Sequence, residues 1–174
     1  MSRRPGICLG AFGVMIAGGA IWANAPLSPL PGDAKANLLV VEKGEHRLVA
    51  YANGRLLRAY PVSLGRDPVG PKERQGDRRT PEGRYLIDSH NPASSFHRAL
   101  HVSYPSAADV TRARSGGYDP GGEIMVHGIR RGLGWIGRAQ RFVDWTVGCI
   151  AVTDPEMEEL YRIVPDGTPI EIRP

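Results

Sequence analysis

Two stretches of sequence indicate the fold: Val126-His127-Gly128 and, after the spacer 129–145, Thr146-Val147-Gly148-Cys149-Ile150. His127 ends an apolar run, and Gly148 lets the backbone turn sharply beside the Cys149 sulfur. Backbone N–H groups in such a turn can stabilise a thiolate and an oxyanion. A thiolate nucleophile uses a histidine as its base, so Cys149 and His127 are a candidate catalytic pair. An inert buried cysteine beside a hydrogen-bonded core histidine is the alternative.

The first 25 residues have the composition of an export signal. Arg3 and Arg4 precede a run without charged residues from 7 to 23, and Ala23-Asn24-Ala25 offers a cleavage site. Because Pro26 follows that site directly, we expect 1–25 to be either a signal peptide or an N-terminal membrane anchor. A buried core helix is the alternative, which the flanking arginines disfavour. The protein is therefore expected in the periplasm or cell envelope.

Residues 26–37 are rich in proline and are predicted to be a linker that leads into a domain spanning 38–174. Beyond the N-terminal segment, Cys149 is the single cysteine. Oxidising compartments favour paired cysteines, so this unpaired thiol indicates either a disulfide between two copies or a reactive role. We expect a monomer with a reactive thiol.

Short strand-like runs surround the two stretches. The two runs within 46–63 are joined by Asn53-Gly54, the strongest short-range signal for a hairpin, because both residues must reach positive φ. A helix is predicted to begin at Thr153 or Asp154, with Pro155 in its first turn. Other predicted strands are 38–42, 84–88, 100–104, 123–127 and 168–173. The predicted fold is mostly β (α+β), a compact β-sandwich or barrel-like domain with one clear C-terminal helix.

The charge distribution does not indicate nucleic acid binding. The net charge of +4 includes Arg3 and Arg4, so the body of the chain carries only a small positive excess. Residues 128–137 are rich in glycine but lack the strand-loop-helix order of a phosphate loop, so nucleotide binding is not expected. This segment is predicted to be either a mobile flap over a peptide groove or a structural loop.

His97 and His101 stand four residues apart, a spacing that binds metal ions when it falls on a helix. Their neighbours favour a loop that enters a strand, and no carboxylate follows in a zinc-protease pattern, so no metal site and no cofactor are predicted. We expect His101 and Tyr104 to support the cleft instead. A plain structural role is the alternative for both.

Together these blocks resemble the catalytic domain of the L,D-transpeptidases. The two opening stretches match the family signature His-Gly followed by (Ser/Thr)-x-Gly-Cys-(Val/Ile). A second block is similar to the family pattern G-D-x-x-T-P-x-G-x-Y, and it reads Gly76-Asp77-Arg78-Arg79-Thr80-Pro81-Glu82-Gly83-Arg84-Tyr85. The resemblance extends over residues 38–173.

The resemblance implies an acyl transferase whose partners are peptidoglycan stem peptides. Cys149 would attack the diamino acid carbonyl of a tetrapeptide stem and release D-Ala. The thioester would then pass to the amine of a neighbouring stem, or to water. His127 would act as the base, oriented by the Gly128 carbonyl. Thr146 would fix the loop, and the amides of Gly148 and Cys149 would form the oxyanion hole.

The chain departs from the family at two positions. Many members carry histidine where this chain has Val147, and arginine or asparagine where it has Ala151. Because the second of these residues is thought to hold substrate, the substrate or acceptor is expected to differ. A cysteine hydrolase that cuts stem peptides or their protein attachments is therefore an alternative. A non-catalytic peptidoglycan-binding module is a second alternative, which the intact Cys149–His127 pair disfavours.

Overall fold

The structure is a computed structural model that describes residues 22–174. Most of the predicted export segment, 1–25, lies outside the described residues. Within residues 22–174, no helix combines the length and the apolar character needed to cross a membrane.

The described chain folds around one mixed sheet. Its strands are β1 (Leu38–Glu42), β2 (Arg47–Ala52), β3 (Arg55–Pro61), β4 (Gly83–Asn91), β5 (Ala99–Val102), β6 (Met125–His127), β7 (Ile150–Ala151) and β8 (Thr168–Arg173). Within residues 22–174 the sheet has eight strands, in the order β3-β2-β1-β8-β4-β5-β6-β7. The mostly β prediction is therefore confirmed.

The N-terminal half of the sheet begins with the predicted hairpin. Asn53 and Gly54 connect β2 to β3 with φ angles of 51° and 77°, the left-handed conformations that this turn requires. β1 pairs with β2 antiparallel and with β8 parallel. The last strand of the chain therefore lies inside the sheet, between β1 and β4.

Alternating apolar residues of the strands form the core on one face of the sheet. Leu39 and Val41 of β1 are fully buried, and so are Ile170 of β8 and Leu100 of β5. Since successive strand residues point to opposite faces, this alternation fixes the register of the central strands.

The core is covered by the predicted C-terminal helix, α2 (Asp154–Ile163). Its apolar face places Met157, Leu160 and Ile163 in the core, each fully buried. Thr153 is the N-cap residue, and the Glu156 carboxylate accepts hydrogen bonds from both the Thr153 amide (2.9 Å) and its hydroxyl (2.7 Å). The helix follows directly after β7, so its cap also anchors the residues after Cys149.

Two helical segments were not predicted. Helix α1 (Ala107–Ser115) is short and polar, with only Asp109 and Ala113 buried, so it has no apolar periodicity for the sequence to reveal. Its N-terminus is held by Ser106, whose amide and hydroxyl both donate to Asp109. The second is a 3₁₀-helical segment, Gly134–Phe142. The predicted C-terminal helix is therefore accompanied by two helical segments that the sequence did not indicate.

The predicted linker, 26–37, lies against the domain. Arg162 of α2 donates to the carbonyls of Pro31 (3.1 Å) and Gly32 (3.0 Å), and the Ala36 amide donates to Ile163 O (2.8 Å). A proline-rich backbone leaves its carbonyls without internal partners, so arginine side chains can bind them.

Replacing Thr153 with alanine should lower the free energy of unfolding by about 1 kcal/mol, because the N-terminus of α2 loses its cap. Urea denaturation of the two proteins measures the difference. Thr111→Ala is the matched control, since the exposed Thr111 hydroxyl bonds only one carbonyl within α1. Its effect should stay within about 0.5 kcal/mol. Equal losses for both variants would contradict the role of the cap.

Candidate active site

The candidate catalytic residues come from two neighbouring strands. His127 is the last residue of β6, and Cys149 immediately precedes β7. These strands pair in parallel, with Val126 opposite Ile150 and His127 opposite Ala151. Val126 and Ile150 are fully buried in the core. Alternation therefore places His127 and Cys149 on the other face of the strands, two residues apart along them.

The tautomer of His127 follows from its hydrogen bond. Its Nδ1 atom lies 2.7 Å from the carbonyl oxygen of Gly128, as the resemblance implied. A carbonyl can only accept, so Nδ1 carries the proton and the neutral ring presents Nε2 as a base. Burial lowers the pKa of His127 below its ordinary value, and the bond to Gly128 opposes this shift. His127 is therefore neutral at physiological pH.

Aromatic rings enclose the His127 imidazole. The Phe96 ring centroid is 4.6 Å from that of His127, and the Trp145 centroid is 5.6 Å away in an edge-on orientation. Gln140 holds Trp145 in this place, because its Oε1 accepts the indole N–H at 2.7 Å. These rings exclude water from the imidazole, which is the physical reason for its lowered pKa.

The Cys149 thiol is half-buried and points back toward the strand before it. Sγ lies 3.6 Å from the carbonyl oxygen of Glu123, to which it donates. Burial raises the pKa of Cys149 above its ordinary value, and a hydrogen bond from the Met125 backbone only partly opposes this. The resting site is therefore a neutral thiol beside a neutral imidazole, in contrast to a thiolate–imidazolium pair.

Thr146 ties the nucleophile loop together. Its hydroxyl donates to the Cys149 carbonyl at 2.7 Å and accepts from the Gly148 amide at 3.1 Å. Gly148 has a φ of 134°, and a Cβ there would lie 2.8 Å from the Arg79 carbonyl oxygen. Only glycine fits this position without strain. The bond to Thr146 also occupies the Gly148 amide, which the resemblance had assigned to the oxyanion hole.

Two cavities meet at the catalytic pair, since both are lined by Phe96, His127 and Cys149. The first, of about 540 Å³, is mostly apolar, and its other lining residues include Ile129, Leu133, Ile136, Val143, Trp145 and Val147. Its polar groups include Arg66 and Arg130. The second, of about 350 Å³, is more polar and is lined by Asn91, Ser94, Ser95 and Glu123.

Two predicted supporting residues lie elsewhere. His101 Nδ1 is 2.6 Å from an Asp88 carboxylate oxygen, and neither of these cavities includes His101. The Tyr104 hydroxyl donates to Pro120 O, and its buried ring packs edge-on against Tyr85. The contacts described for both side chains are structural, and their support of the cleft stays a prediction. His101 lies on β5 opposite Met125, on the same face of the sheet as the pair, but its imidazole is engaged by Asp88. Tyr104 lies just beyond the end of β5, in the core.

The pair of histidines considered for metal binding also does not converge. His97 Nε2 contacts the Glu158 carboxylate of α2 at 2.6 Å, whereas His101 contacts Asp88. Each imidazole thus has its own carboxylate partner.

One supporting residue escaped the sequence analysis. Asp154, the first residue of α2, accepts the Ile129 amide at 2.7 Å through Oδ1. Its other oxygen, Oδ2, lies so close to Gly134 that a Cβ added to Gly134 would be 2.4 Å from it. Asp154 therefore binds the first residue of the loop after His127 and packs against Gly134 further along it. The sequence pattern had indicated Asp154 only as a possible N-terminal cap of α2.

A comparison with protein families shows which family has this domain. A family model described as YkuD, the L,D-transpeptidase catalytic domain, matches residues 36–172. The chain belongs to this family. The predicted resemblance is thereby confirmed, and the L,D-transpeptidase catalytic domain accounts for nearly all of the described residues.

Individual relatives of this L,D-transpeptidase domain are distant. The Escherichia coli (strain K12) protein named "Putative L,D-transpeptidase YafK" is 30% identical over 112 residues, which are 63% of this chain and 38% of YafK. The helical cell shape determining protein Pgp2 from Campylobacter jejuni has a TM-score of 0.60 at 21% identity, covering 90% of this chain and 54% of that protein. An L,D-transpeptidase from Mycobacterium smegmatis has a TM-score of 0.53 at 19% identity, with coverages of 80% and 59%.

The solved structures establish the fold of the domain. The chain spans little more than a third of YafK and about half of Pgp2, so the activity of those whole proteins does not transfer directly.

The neutral pair predicts how Cys149 reacts with iodoacetamide. In a Cys8→Ser variant, the alkylation rate should rise with pH to a midpoint above the ordinary thiol pKa of 9.0, because burial disfavours the thiolate. In urea the midpoint should return toward that ordinary value. Rates measured by mass spectrometry across a pH series give both midpoints. A plateau of reactivity below pH 7 that His127→Gln abolishes would instead reveal a thiolate–imidazolium pair.

Proposed function

We propose that this chain is a cysteine-dependent L,D-transpeptidase that acts on peptidoglycan tetrapeptide stems through a thioacyl intermediate in the cell envelope. One observation carries the proposal. His127 has its Nδ1 proton committed to the Gly128 carbonyl, and it shares two substrate-sized cavities with the Cys149 thiol. This arrangement leaves Nε2 free to take the thiol proton, which is the requirement for nucleophilic attack.

The first half-reaction follows from the neutral resting pair. As Cys149 Sγ attacks the carbonyl carbon of the diamino acid, its proton moves to His127 Nε2. The imidazolium formed keeps its bond to Gly128 O, and it then protonates the departing amine of D-Ala. The C–N bond breaks, and a thioester remains on Cys149. Phe96 and Trp145 exclude water and therefore disfavour charged groups in this site. The resting thiol and imidazole are both neutral, so this cost arises only when charge separates during attack.

The oxyanion of the tetrahedral intermediate needs N–H donors. The Gly148 amide already donates to Thr146 Oγ1, so we assign the Cys149 amide as the main donor. Thr146 acts indirectly, because it holds both the Gly148 amide and the Cys149 carbonyl and thereby fixes the peptide plane between them.

The second half-reaction needs a second substrate, and the second cavity supports its presence. An amine acceptor reaches the thioester with a positive charge that it must lose before attack. The polar cavity contains the Glu123 carboxylate, which suits an ammonium group, whereas the apolar cavity carries Arg66 and Arg130, which suit the carboxylates of a stem. We therefore place the acyl donor in the apolar cavity and the acceptor in the polar one. His127 then removes a proton from the acceptor amine.

The two departures from the family pattern differ in their consequences. Val147 is 69% exposed and lines the apolar cavity, so it contacts a bound stem and makes this cavity more apolar than histidine would. Ala151 is fully buried on β7, so this position does not reach a substrate here. Hydrolysis of the thioester is the second candidate, because the more polar cavity that reaches Cys149 admits water as well as an amine.

Intact-mass spectrometry of the full-length protein with tetrapeptide stems tests the proposal. The wild type should gain the mass of a stem that has lost D-Ala, whereas Cys149→Ala should gain nothing. Cross-linked stem dimers would then support transfer. Tripeptides alone would replace transfer with the hydrolase. The absence of both adduct and product would overturn the tetrapeptide mechanism and favour a binding module.

The loop role of Thr146 gives a graded test of the same mechanism. Thr146→Ala should lower kcat on the order of a hundredfold, because the peptide plane that carries the Cys149 amide is no longer fixed. Thr146→Ser keeps the hydroxyl and should recover most of the rate. The KM for the stem should change little in both, since Thr146 acts through the loop. Steady-state kinetics decide this, and equal losses for both variants would refute the hydrogen-bonding role.

A further inference from the structure

Beside the apolar cavity, the domain exposes a cluster of large apolar side chains. We call Trp22, Leu133, Trp135, Phe142 and Val143 the apolar face. Trp135 is 72% exposed, Phe142 76% and Val143 65%. The face continues into the apolar cavity, because Leu133 and Val143 line that cavity too. Grouped exposed apolar residues of this kind mark a surface that contacts a partner or a membrane.

The N-terminal end of the described chain is built into this face. The Trp22 ring stacks on Phe142, with centroids 6.1 Å apart and planes 20° from parallel. The Arg138 guanidinium donates to the carbonyls of Trp22 and Ala25, both at 3.1 Å. Asn24 donates to the Trp135 carbonyl at 3.1 Å. Residues 22–25 thus hold the 3₁₀-helical segment by both its backbone and its side chains.

Gly137 shows how close this contact is. Its φ is 51°, and a Cβ at this position would lie 2.2 Å from the Ala23 carbonyl oxygen. The predicted cleavage after Ala25 would remove these partners of the segment. Pro26 at the following position already disfavours that cleavage.

The sequence before Trp22 supplies the argument for the occupant. The run from 7 to 23 contains no charged residue, and Arg3 and Arg4 precede it. The chain therefore leaves the apolar face directly into a segment apolar enough to enter a bilayer. The loop that carries the face, 129–143, contains four arginines and no acidic residue. Aromatic side chains beside arginines are the composition that binds an anionic lipid surface.

We propose that segment 1–25 is retained as a membrane anchor and that the apolar face rests on the lipid surface beside it. Trp22 and Trp135 then lie at the headgroup level, where amphipathic indole rings are favoured. Arg131, which is exposed and does not line the apolar cavity, contacts the anionic headgroups. This placement does not depend on the reaction that Cys149 performs.

Depth-dependent fluorescence quenching tests the placement on the full-length protein. The protein is inserted into vesicles of phosphatidylcholine and phosphatidylglycerol, with or without brominated acyl chains. Bromolipids should quench a fraction of the tryptophan emission in the wild type, and Trp135→Phe should lose much of that fraction. The wild type and Trp135→Phe both keep Trp145 in the active site, so the difference reports Trp135 alone.

A matched control uses the opposite edge of the sheet. Leu56 is 62% exposed on β3, whereas the catalytic pair lies at the β7 edge. In a Trp135→Phe background, Leu56→Trp should add emission that bromolipids do not quench. Equal quenching of Trp135 and of a tryptophan at 56 would overturn the proposal, because the domain would then have no preferred face.

Three other outcomes would also overturn it. Protein that floats with the vesicles while Trp135 escapes quenching would be tethered without resting on the lipid. A Trp135 emission shift that depends on protein concentration without lipid would assign the face to a second copy. A shift caused by peptidoglycan fragments, without bromolipid quenching, would assign it to glycan. Arg131→Gln should weaken the phosphatidylglycerol-dependent docking that the quenching reports by roughly fivefold, and unchanged quenching would remove the arginine from the lipid contact.

Discussion

The parallel pairing of β6 with β7 is the constraint on which the active site depends. It joins two strands separated by the whole loop 129–145, and it sets His127 two residues along from Cys149 on the same face. The opposite face of this pair is anchored in the core by Val126 and Ile150. Rigid strands thus fix the position of each catalytic side chain, and the loop between them is left to form the walls of the cavity.

Local signals made much of the fold predictable. Asn53-Gly54 specifies its hairpin because few residue pairs tolerate two positive φ angles. Thr153 and Pro155 specify the start of α2, and the spacing of His127 and Cys149 identifies the family. In each case the physical cause lies within a few neighbouring residues, so sequence alone could reveal it.

Features that depend on distant contacts could not be predicted in this way. Gln140 positions Trp145 through a side-chain bond, and Asp154 holds a loop that begins 25 residues earlier in the chain. The capture of the Gly148 amide by Thr146 depends on the detailed shape of the turn. Helix α1 has no apolar stripe, and the attachment of 26–37 depends on arginines of other elements. The partners of His101 and Tyr104, Asp88 and Pro120, likewise could not be read from their proximity to a strand.

The position of β8 has a consequence for the order in which the molecule can form. This strand comprises residues 168–173, yet it lies between β1 and β4 and bonds to both. The centre of the sheet therefore forms only once residues 168–173 have been synthesised, although bridges of Ser63 to Ala151 and of Gly65 to Thr146 also join the two ends of the sheet. Contacts between residues so far apart in sequence form slowly, because the entropy of a long loop must be lost before they can stabilise the fold.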